Sequence, residues 1–143
     1  MTPTLCVFNR TRKSFLCLSA VTPGGSARFR KTGREDGIWI LPCRGIYTVG
    51  TLDPVDLVYL DRGNRVVQLV EHLDPLQIVP VRGCCASVLE AKPRTIYSSR
   101  TRVGDELLIC SPEDVETHWN ELEEPLRVQS AWMRQEVILC SNG

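Results

Sequence analysis

Two acidic residues in apolar surroundings, Asp56 and Glu90, are the first candidates for chemistry in this chain. Carboxylates held about 5 to 9.5 Å apart across a cleft can act as general acid and base in a hydrolase. Asp56 lies between Val55 and Leu57, where an unpaired carboxylate would be costly to bury. The pattern therefore favours an Asp56 that accepts backbone amides at the start of a strand, and it leaves open a charged partner or a cleft. A hydrolase that uses Asp56 and Glu90 remains an alternative.

Four further residues could serve a polar ligand site. Arg82 precedes the strand of Glu90 and could pair with it or clamp a carboxylate or phosphate. Thr48 has no base at a readable spacing, so a threonine nucleophile is disfavoured. Asp105 follows a glycine and is expected to accept local amides in a tight turn, while Tyr47 could line a pocket or the core. The predicted ligand-binding residues are Tyr47, Thr48, Asp56, Arg82, Glu90 and Asp105.

The chain has seven cysteines and two histidines, but their spacing does not predict a metal site. Cys84–Cys85 is an adjacent pair, there is no Cys-x-x-Cys, and His72 and His118 fit no ligand pattern. We therefore expect no metal and no cofactor, and cysteines that act as small reduced hydrophobic residues. In the predicted N-terminal hairpin Cys6 faces Cys17, where two packed thiols are favoured over a disulfide.

Composition is that of one globular domain. The chain has 143 residues, 43% hydrophobic and 24% charged, which is ordinary for a soluble protein with a real core. No apolar run approaches the about 20 residues needed to cross a bilayer, and the first residues lack the apolar stretch of a secretory signal. A cytoplasmic protein is the expectation.

The formal charge is zero but unevenly distributed. The first fifty residues hold eight lysines or arginines against two acids, and the remainder holds nine against fifteen. Two oppositely charged halves can neutralise each other within one domain, or the basic half can meet an anionic partner. Residues 28–34, where basic side chains flank Phe29, could bind nucleic acid. A solvated loop is favoured there, so nucleic-acid binding is kept as an alternative.

The elements that must position these residues are mostly strands. Turn signals and apolar runs favour a hairpin of residues 55–60 and 66–70, a short helix or turn at 93–99, and a helix whose N-cap is Ser111 and which ends near Pro125. A second helix is predicted over 126–140. The predicted strands or extended pieces are residues 5–8, 15–18, 37–41, 44–49, 55–60, 65–71, 76–79, 86–90 and 106–110.

We therefore predict a mainly β (α+β) fold, a compact barrel-like or sandwich-like antiparallel sheet with one or two C-terminal helices. Residues 1–110 form the core domain and residues 111–143 a helical extension. Several segments, in this order and spacing, resemble the bacterial and archaeal family catalogued as domain of unknown function 192, or uncharacterised protein family 0127. These segments are Asp36–Ile40, Gly45–Gly50, Pro54–Asp61, Asn64–Val67, Val88–Glu90 and Gly104–Leu107. The resemblance covers about half of the chain and implies a compact, mostly β domain without an established activity.

The function predicted from the sequence is that of a small soluble binding or accessory domain, non-enzymatic, with a polar cleft near Thr48, Asp56, Arg82 and Glu90. Its partner would be a protein or a small polar ligand. We expect a monomer or weak dimer. Apolar residues of the extension, which could contact a partner or a second copy, are Trp119, Leu122, Trp132 and Val137.

Overall fold

A seven-stranded sheet curls into a half-barrel in the computed structural model of this chain. The structure describes residues 4–22, 35–42, 53–75, 77, 79–80 and 83–118. The strand order across the sheet is β5-β4-β6-β3-β2-β1-β7. The strands are β1 (Leu5–Asn9), β2 (Ser14–Val21), β3 (Gly37–Ile40), β4 (Val55–Leu60), β5 (Val66–Leu73), β6 (Ser87–Ala91) and β7 (Leu107–Cys110). The mainly β, barrel-like fold is thus confirmed.

The two edges of the sheet approach each other where β5 and β7 begin. Arg65 and Glu106 form an isolated antiparallel bridge. On either side of it, the Val66 amide donates to the Asp105 carbonyl at 2.8 Å and the Leu107 amide donates to the Asn64 carbonyl at 2.9 Å. Because these bonds occupy backbone groups that an open edge would expose, they protect this end of both edge strands.

One strand pair departs from the predicted antiparallel sheet. β2 and β3 run parallel, with Ala20 opposite Gly37. A parallel pair needs a long connection, and residues 22–36 supply it. The two strands also pack closely, because a Cβ on Gly37 would lie 2.5 Å from Cys17 Sγ and 3.2 Å from the Glu90 carbonyl oxygen. Position 37 therefore requires glycine for space.

The N-terminal hairpin forms as predicted, but Cys6 does not face Cys17. At the turn Asn9 pairs with Ser14, and an irregularity after Phe8 shifts the register, so that Cys17 lies opposite Val7. A second irregularity follows between Val7 and Leu5. Each shift adds one residue to β2 relative to β1. Cys6 instead pairs across the other side of β1 with Cys110 on β7.

Strand β4 is buried along its whole length, as a run that is apolar except for Asp56 predicts. Its alternate residues enter two separate clusters. We call the first the inner cluster, which comprises Val7, Leu16, Cys17, Ala20, Val58, Leu60, Val66, Leu89, Ala91, Ile96 and Leu107. We call the second the outer cluster, which comprises Val55, Leu57, Tyr59, Leu73 and Val88. Strands β4 and β6 thus separate two apolar layers.

Two helices are described. The short helix α1 (Thr95–Ser99) confirms the prediction for 93–99, and helix α2 occupies residues 112–118. Ser111 caps α2: its Oγ accepts the Asp114 amide at 3.3 Å and donates to Asp114 Oδ2 at 2.9 Å. The predicted strand at 44–49, the end of α2 near Pro125 and the helix at 126–140 lie outside the described residues. In the part of the chain that the structure describes, no helix has the length and apolar character to cross a membrane.

Candidate functional site

Asp56 is a fully buried junction between three elements. On the β5 side, Val55 pairs with Leu73 and Leu57 with Val70, so two residues of β5 face one residue of β4. This bulge brings the His72 amide to Asp56 Oδ1 at 2.8 Å. On the other side, Asp56 Oδ2 accepts the Ile96 amide of α1 at 2.9 Å. The carboxylate therefore joins β4, β5 and α1.

Helix α1 has no local side-chain cap for its first backbone amides, so a distant carboxylate accepts one of them. Its N-cap position is Arg94, which has a left-handed backbone (φ 74°) and makes no side-chain hydrogen bond to the helix. The first amides of a helix lack intrahelical acceptors, and Asp56 supplies one from forty positions earlier in the chain. The predicted amide-capping aspartate is confirmed, although its amides belong to β5 and α1 rather than to its own strand.

Asp56 and Glu90 lie on opposite faces of the sheet. In the pairing of β4 with β6, Asp56 is opposite Ala91 and Glu90 is opposite Leu57. Ala91 belongs to the inner cluster and Leu57 to the outer cluster. Since paired residues share a face and neighbours alternate, the sheet itself separates the two carboxylates. The hypothesis that they share one cleft as acid and base is therefore wrong.

Asp105 is also buried, and it accepts three hydrogen bonds through one oxygen. Its Oδ2 lies 3.0 Å from Asn9 Nδ2, 3.2 Å from Arg12 Nε and 2.9 Å from the Arg102 amide. Gly104 precedes it with a φ of 98°, which L side chains rarely adopt. The predicted tight turn with a local amide bond is thus confirmed, but the carboxylate also binds the β1–β2 turn.

Asn9 is the buried residue at the centre of this network, and sequence reasoning did not single it out. Its Oδ1 accepts the amides of Thr11 and Arg12 at 3.0 and 2.9 Å. Its Nδ2 donates to Thr101 Oγ1 at 3.1 Å as well as to Asp105. An asparagine at a strand end before a polar turn is the available signal, because Asn often accepts amides two and three residues on. We call these contacts the Asn9–Asp105 network.

An open cleft of about 590 Å³ lies beside the β4–β5 turn. Arg62 at the tip of the turn is exposed. Asp61 Oδ1 is held within the turn by the amides of Gly63 and Arg65, both at 2.9 Å. The lining residues are Pro42, Asp61, Arg62, Gly63, Gly83, Cys84, Cys85 and Ala86. This cleft was not predicted, and none of its described lining residues is one of the six predicted ligand-binding residues.

The structure does not bring those six residues into one described site. Asp56 and Asp105 each sit in a separate hydrogen-bonded junction, and Glu90 faces the outer layer. Tyr47, Thr48 and Arg82 lie outside the described residues. Within the described ranges, no group of three His, Cys, Asp or Glu side chains could hold a metal ion.

Three thiols on adjacent strands have a raised pKa. Burial is the main cause for Cys17, and the nearby Asp36 carboxylate adds to it. For Cys6 the pKa is raised first by burial and then by the charge of Asp36. For Cys110 the pKa is raised by burial, then by Cys6 and Asp114. All three thiols are free and, with these shifts, are protonated at neutral pH.

The fold and these junctions define a curled half-barrel domain of the α+β class. The chain matches no family model and no curated protein in sequence. In fold, it is similar to a protein of unknown function from Novosphingobium aromaticivorans DSM 12444, with a TM-score of 0.59, 17% identity, and coverage of 75% of this chain and 84% of that one. It is also similar to a putative transcription regulator from Sinorhizobium meliloti 1021, with a TM-score of 0.60, 15% identity, and coverage of 76% and 93%. At these identities the likeness is one of fold.

Proposed function

We propose that the chain is a small non-enzymatic binding domain that takes a small polar anion in the cleft beside the β4–β5 turn. The cleft carries this proposal, because its volume of about 590 Å³ lies within the usual range of small-molecule sites. The exposed Arg62 at its margin could form charge-assisted hydrogen bonds with a carboxylate or phosphate. Asp61 also lines the cleft, and its Oδ1 accepts the amides of Gly63 and Arg65 within the turn.

The buried acids support binding over two-carboxylate hydrolysis. A general acid or base must come within hydrogen-bond reach of its substrate. Asp56 and Asp105 are buried and already hold donors of the protein itself, and Glu90 lies on the face opposite to Asp56. Asp56 and Asp105 instead hold segments of the scaffold together.

A thermal-shift screen of small anions tests the proposal. A compound that binds only the folded chain stabilises it by about 2.7 kcal/mol at a hundred times its Kd. We expect carboxylates or phosphates to raise the unfolding midpoint of the wild type, and Arg62→Ala to lose that shift. Arg102→Ala, at an exposed arginine outside the cleft, is the matched control. A shift that survives in Arg62→Ala, or turnover of the bound compound, would contradict the proposal.

Nucleic-acid binding through residues 28–34 is the second candidate. The excess of basic residues in the first fifty positions favours it, and one protein of similar fold carries the description of a putative transcription regulator. Binding of this kind would weaken steeply as salt increases. Titration of a labelled duplex and a single strand at two salt concentrations would show that dependence, and no binding at low salt would dismiss this candidate.

We also propose that the chain belongs to the domain of unknown function 192 family. We further propose that it is a cytoplasmic monomer or weak dimer and that its partner could also be a protein. The described segments that carry the resemblance form β3, β4, β5, β6 and the start of β7. A family structure with a different strand order would contradict the membership. Size-exclusion chromatography over a range of concentrations would test the oligomeric state.

A further inference from the structure

Two cysteines face each other between the edge strand β7 and its neighbour β1. Cys6 on β1 and Cys110 on the edge strand β7 are directly paired in an antiparallel ladder. Their neighbours Val7 and Ile109, also paired, pack in the inner cluster. Because side chains alternate along a strand, both thiols point to the other face of the sheet.

This placement matches what a disulfide requires. Residues directly opposite in an antiparallel pair have Cα atoms about 4.5 or 5.5 Å apart, and disulfides span about 4.4 to 6.8 Å between Cα atoms. Both cysteines are free thiols; Cys6 is buried and Cys110 is half-buried. To join Cys110, Cys6 must give up the hydrogen bond that its Sγ donates to the Leu18 carbonyl at 3.5 Å. Cys110 is the more exposed of the two and is the one that a reagent reaches first.

We propose that Cys6 and Cys110 form a reversible intramolecular disulfide when the folded chain meets a low-molecular-weight disulfide such as glutathione disulfide. The Cys110 thiolate attacks one sulfur of glutathione disulfide, its S–S bond breaks, and one glutathione thiolate leaves. The Cys6 thiolate then attacks the Cys110 sulfur of the mixed disulfide and releases the second glutathione. The two protein thiols are oxidised, glutathione disulfide is reduced to two thiols, and the two protons pass to the leaving thiolates.

The environment of the pair makes this reaction slow at neutral pH and faster at alkaline pH. Only the thiolate is a nucleophile. Burial raises the pKa of both thiols; the Asp36 carboxylate adds to this at Cys6, and Asp114 together with Cys6 adds to it at Cys110. On the neighbouring strand β2, the pKa of the Cys17 thiol is raised mainly by burial, and the charge of Cys6 adds to this.

The link would hold the edge of the half-barrel in place. Strand β7 pairs with β1 along its length and, among the described residues, is bonded to the β5 side only at its start. It leads directly into helix α2. A covalent bond between positions 6 and 110 closes a loop that contains most of the chain, and cross-links that close long loops restrict the unfolded state strongly. We expect the oxidised chain to unfold at a midpoint several degrees higher, and dithiothreitol to reverse the change.

Peptide mapping under native oxidation tests the pair. The reduced full-length chain is incubated with glutathione disulfide, alkylated, and digested with trypsin without reduction. Cys6 lies in peptide 1–10 and Cys110 in peptide 103–127, each the only cysteine of its peptide. The expected product is the cross-link of these two peptides, which dithiothreitol removes and which forms faster at pH 9 than at pH 7.

Variants separate this pair from other thiols. Cys6→Ser and Cys110→Ser should each abolish the cross-link and the rise of the midpoint, whereas Cys84→Ser, at an exposed cysteine, should change neither. A link from peptide 1–10 to peptide 14–28, which contains Cys17, would overturn the proposal. So would a wild type that carries only glutathione on Cys110, a result that does not depend on whether any variant folds.

Discussion

Asp56 and Asp105 are two buried aspartates that connect the sheet to other segments in different ways. Asp56 uses both of its oxygens, one for a backbone amide of β5 and one for a backbone amide of α1. Asp105 uses a single oxygen for three donors, which come from a buried asparagine, a partly exposed arginine and a local amide. The first junction joins regular elements, and the second joins turns.

The comparison indicates which junction tolerates change. Backbone amides at Asp56 cannot turn elsewhere, because the strand and helix hold them in place, and a buried amide without an acceptor costs about 1–3 kcal/mol. At Asp105 the Arg12 side chain is one-third exposed, so water can replace part of what the carboxylate supplies. We therefore expect a substitution at Asp56 to lower the free energy of unfolding more than the same substitution at Asp105.

Asp56→Ala should have the largest effect. It leaves the His72 and Ile96 amides without their acceptor, so we expect the free energy of unfolding to fall by about 3–5 kcal/mol. Urea unfolding measures it. Asp61→Ala is the matched control, since Asp61 also accepts two amides but in a half-exposed turn, and about 1 kcal/mol is expected there. Equal losses at the two positions would refute the special role of Asp56.

Replacing each buried aspartate by asparagine sharpens the comparison. An asparagine offers one acceptor oxygen, so Asp105→Asn can keep all three donors on it, with an expected loss of about 1 kcal/mol. Asp56→Asn must set an NH₂ group against a backbone amide, with an expected loss of about 2–3 kcal/mol. Urea unfolding of both variants measures the two losses in free energy of unfolding. If Asp105→Asn loses as much as Asp56→Asn, the proposed difference between the two junctions is wrong.

Alkaline pH offers a reference that involves neither junction. Burial raises the pKa of the Cys17 thiol above its usual value of 9.0, so the folded state keeps a proton that the unfolded chain loses. Its stabilising contribution is complete below about pH 9 and declines as pH rises, by about 1.4 kcal/mol per pH unit. Above pH 9, the free energy of unfolding of Cys17→Ala should therefore decline less steeply than that of the wild type, by about 1.4 kcal/mol per pH unit. Asp105→Asn should keep the steeper decline of the wild type. A decline as steep in Cys17→Ala as in the wild type would contradict the attribution of this pH dependence to the buried Cys17 thiol.

Arg12→Met should have the smallest effect. The Arg12 guanidinium lies 3.2 Å from Asp105 Oδ2 but is partly exposed, and such pairs contribute about 0–1 kcal/mol. Thermal unfolding should show a small decrease, because Asn9 and the Arg102 amide remain on the carboxylate. A decrease as large as that of Asp56→Ala would mean that the ion pair, rather than the asparagine, maintains the Asn9–Asp105 network.

Local patterns in the sequence determined the elements well. The hairpin of β4 and β5, strand β6, helix α1 and the Ser111 cap all follow from apolar runs, turn residues and capping residues within a few positions of each other. The buried Asp56 was also predictable, because a carboxylate within an apolar run must find donors. Its donors were not, since one lies on a β-bulge and the other on α1.

The tertiary structure decided what depends on register and on contacts between distant segments. A bulge in the first hairpin moved Cys17 from Cys6 to Val7, and the separate pairing of β1 with β7 set Cys6 opposite Cys110. The pairing of β4 with β6 set Asp56 and Glu90 on opposite faces. A shift of one residue reverses the face of every side chain that follows. The sequence by itself therefore determined which segments are strands and which polar residues had to be satisfied. Only the packed sheet decided which of them meet, because register is settled by the fit of whole strands against each other.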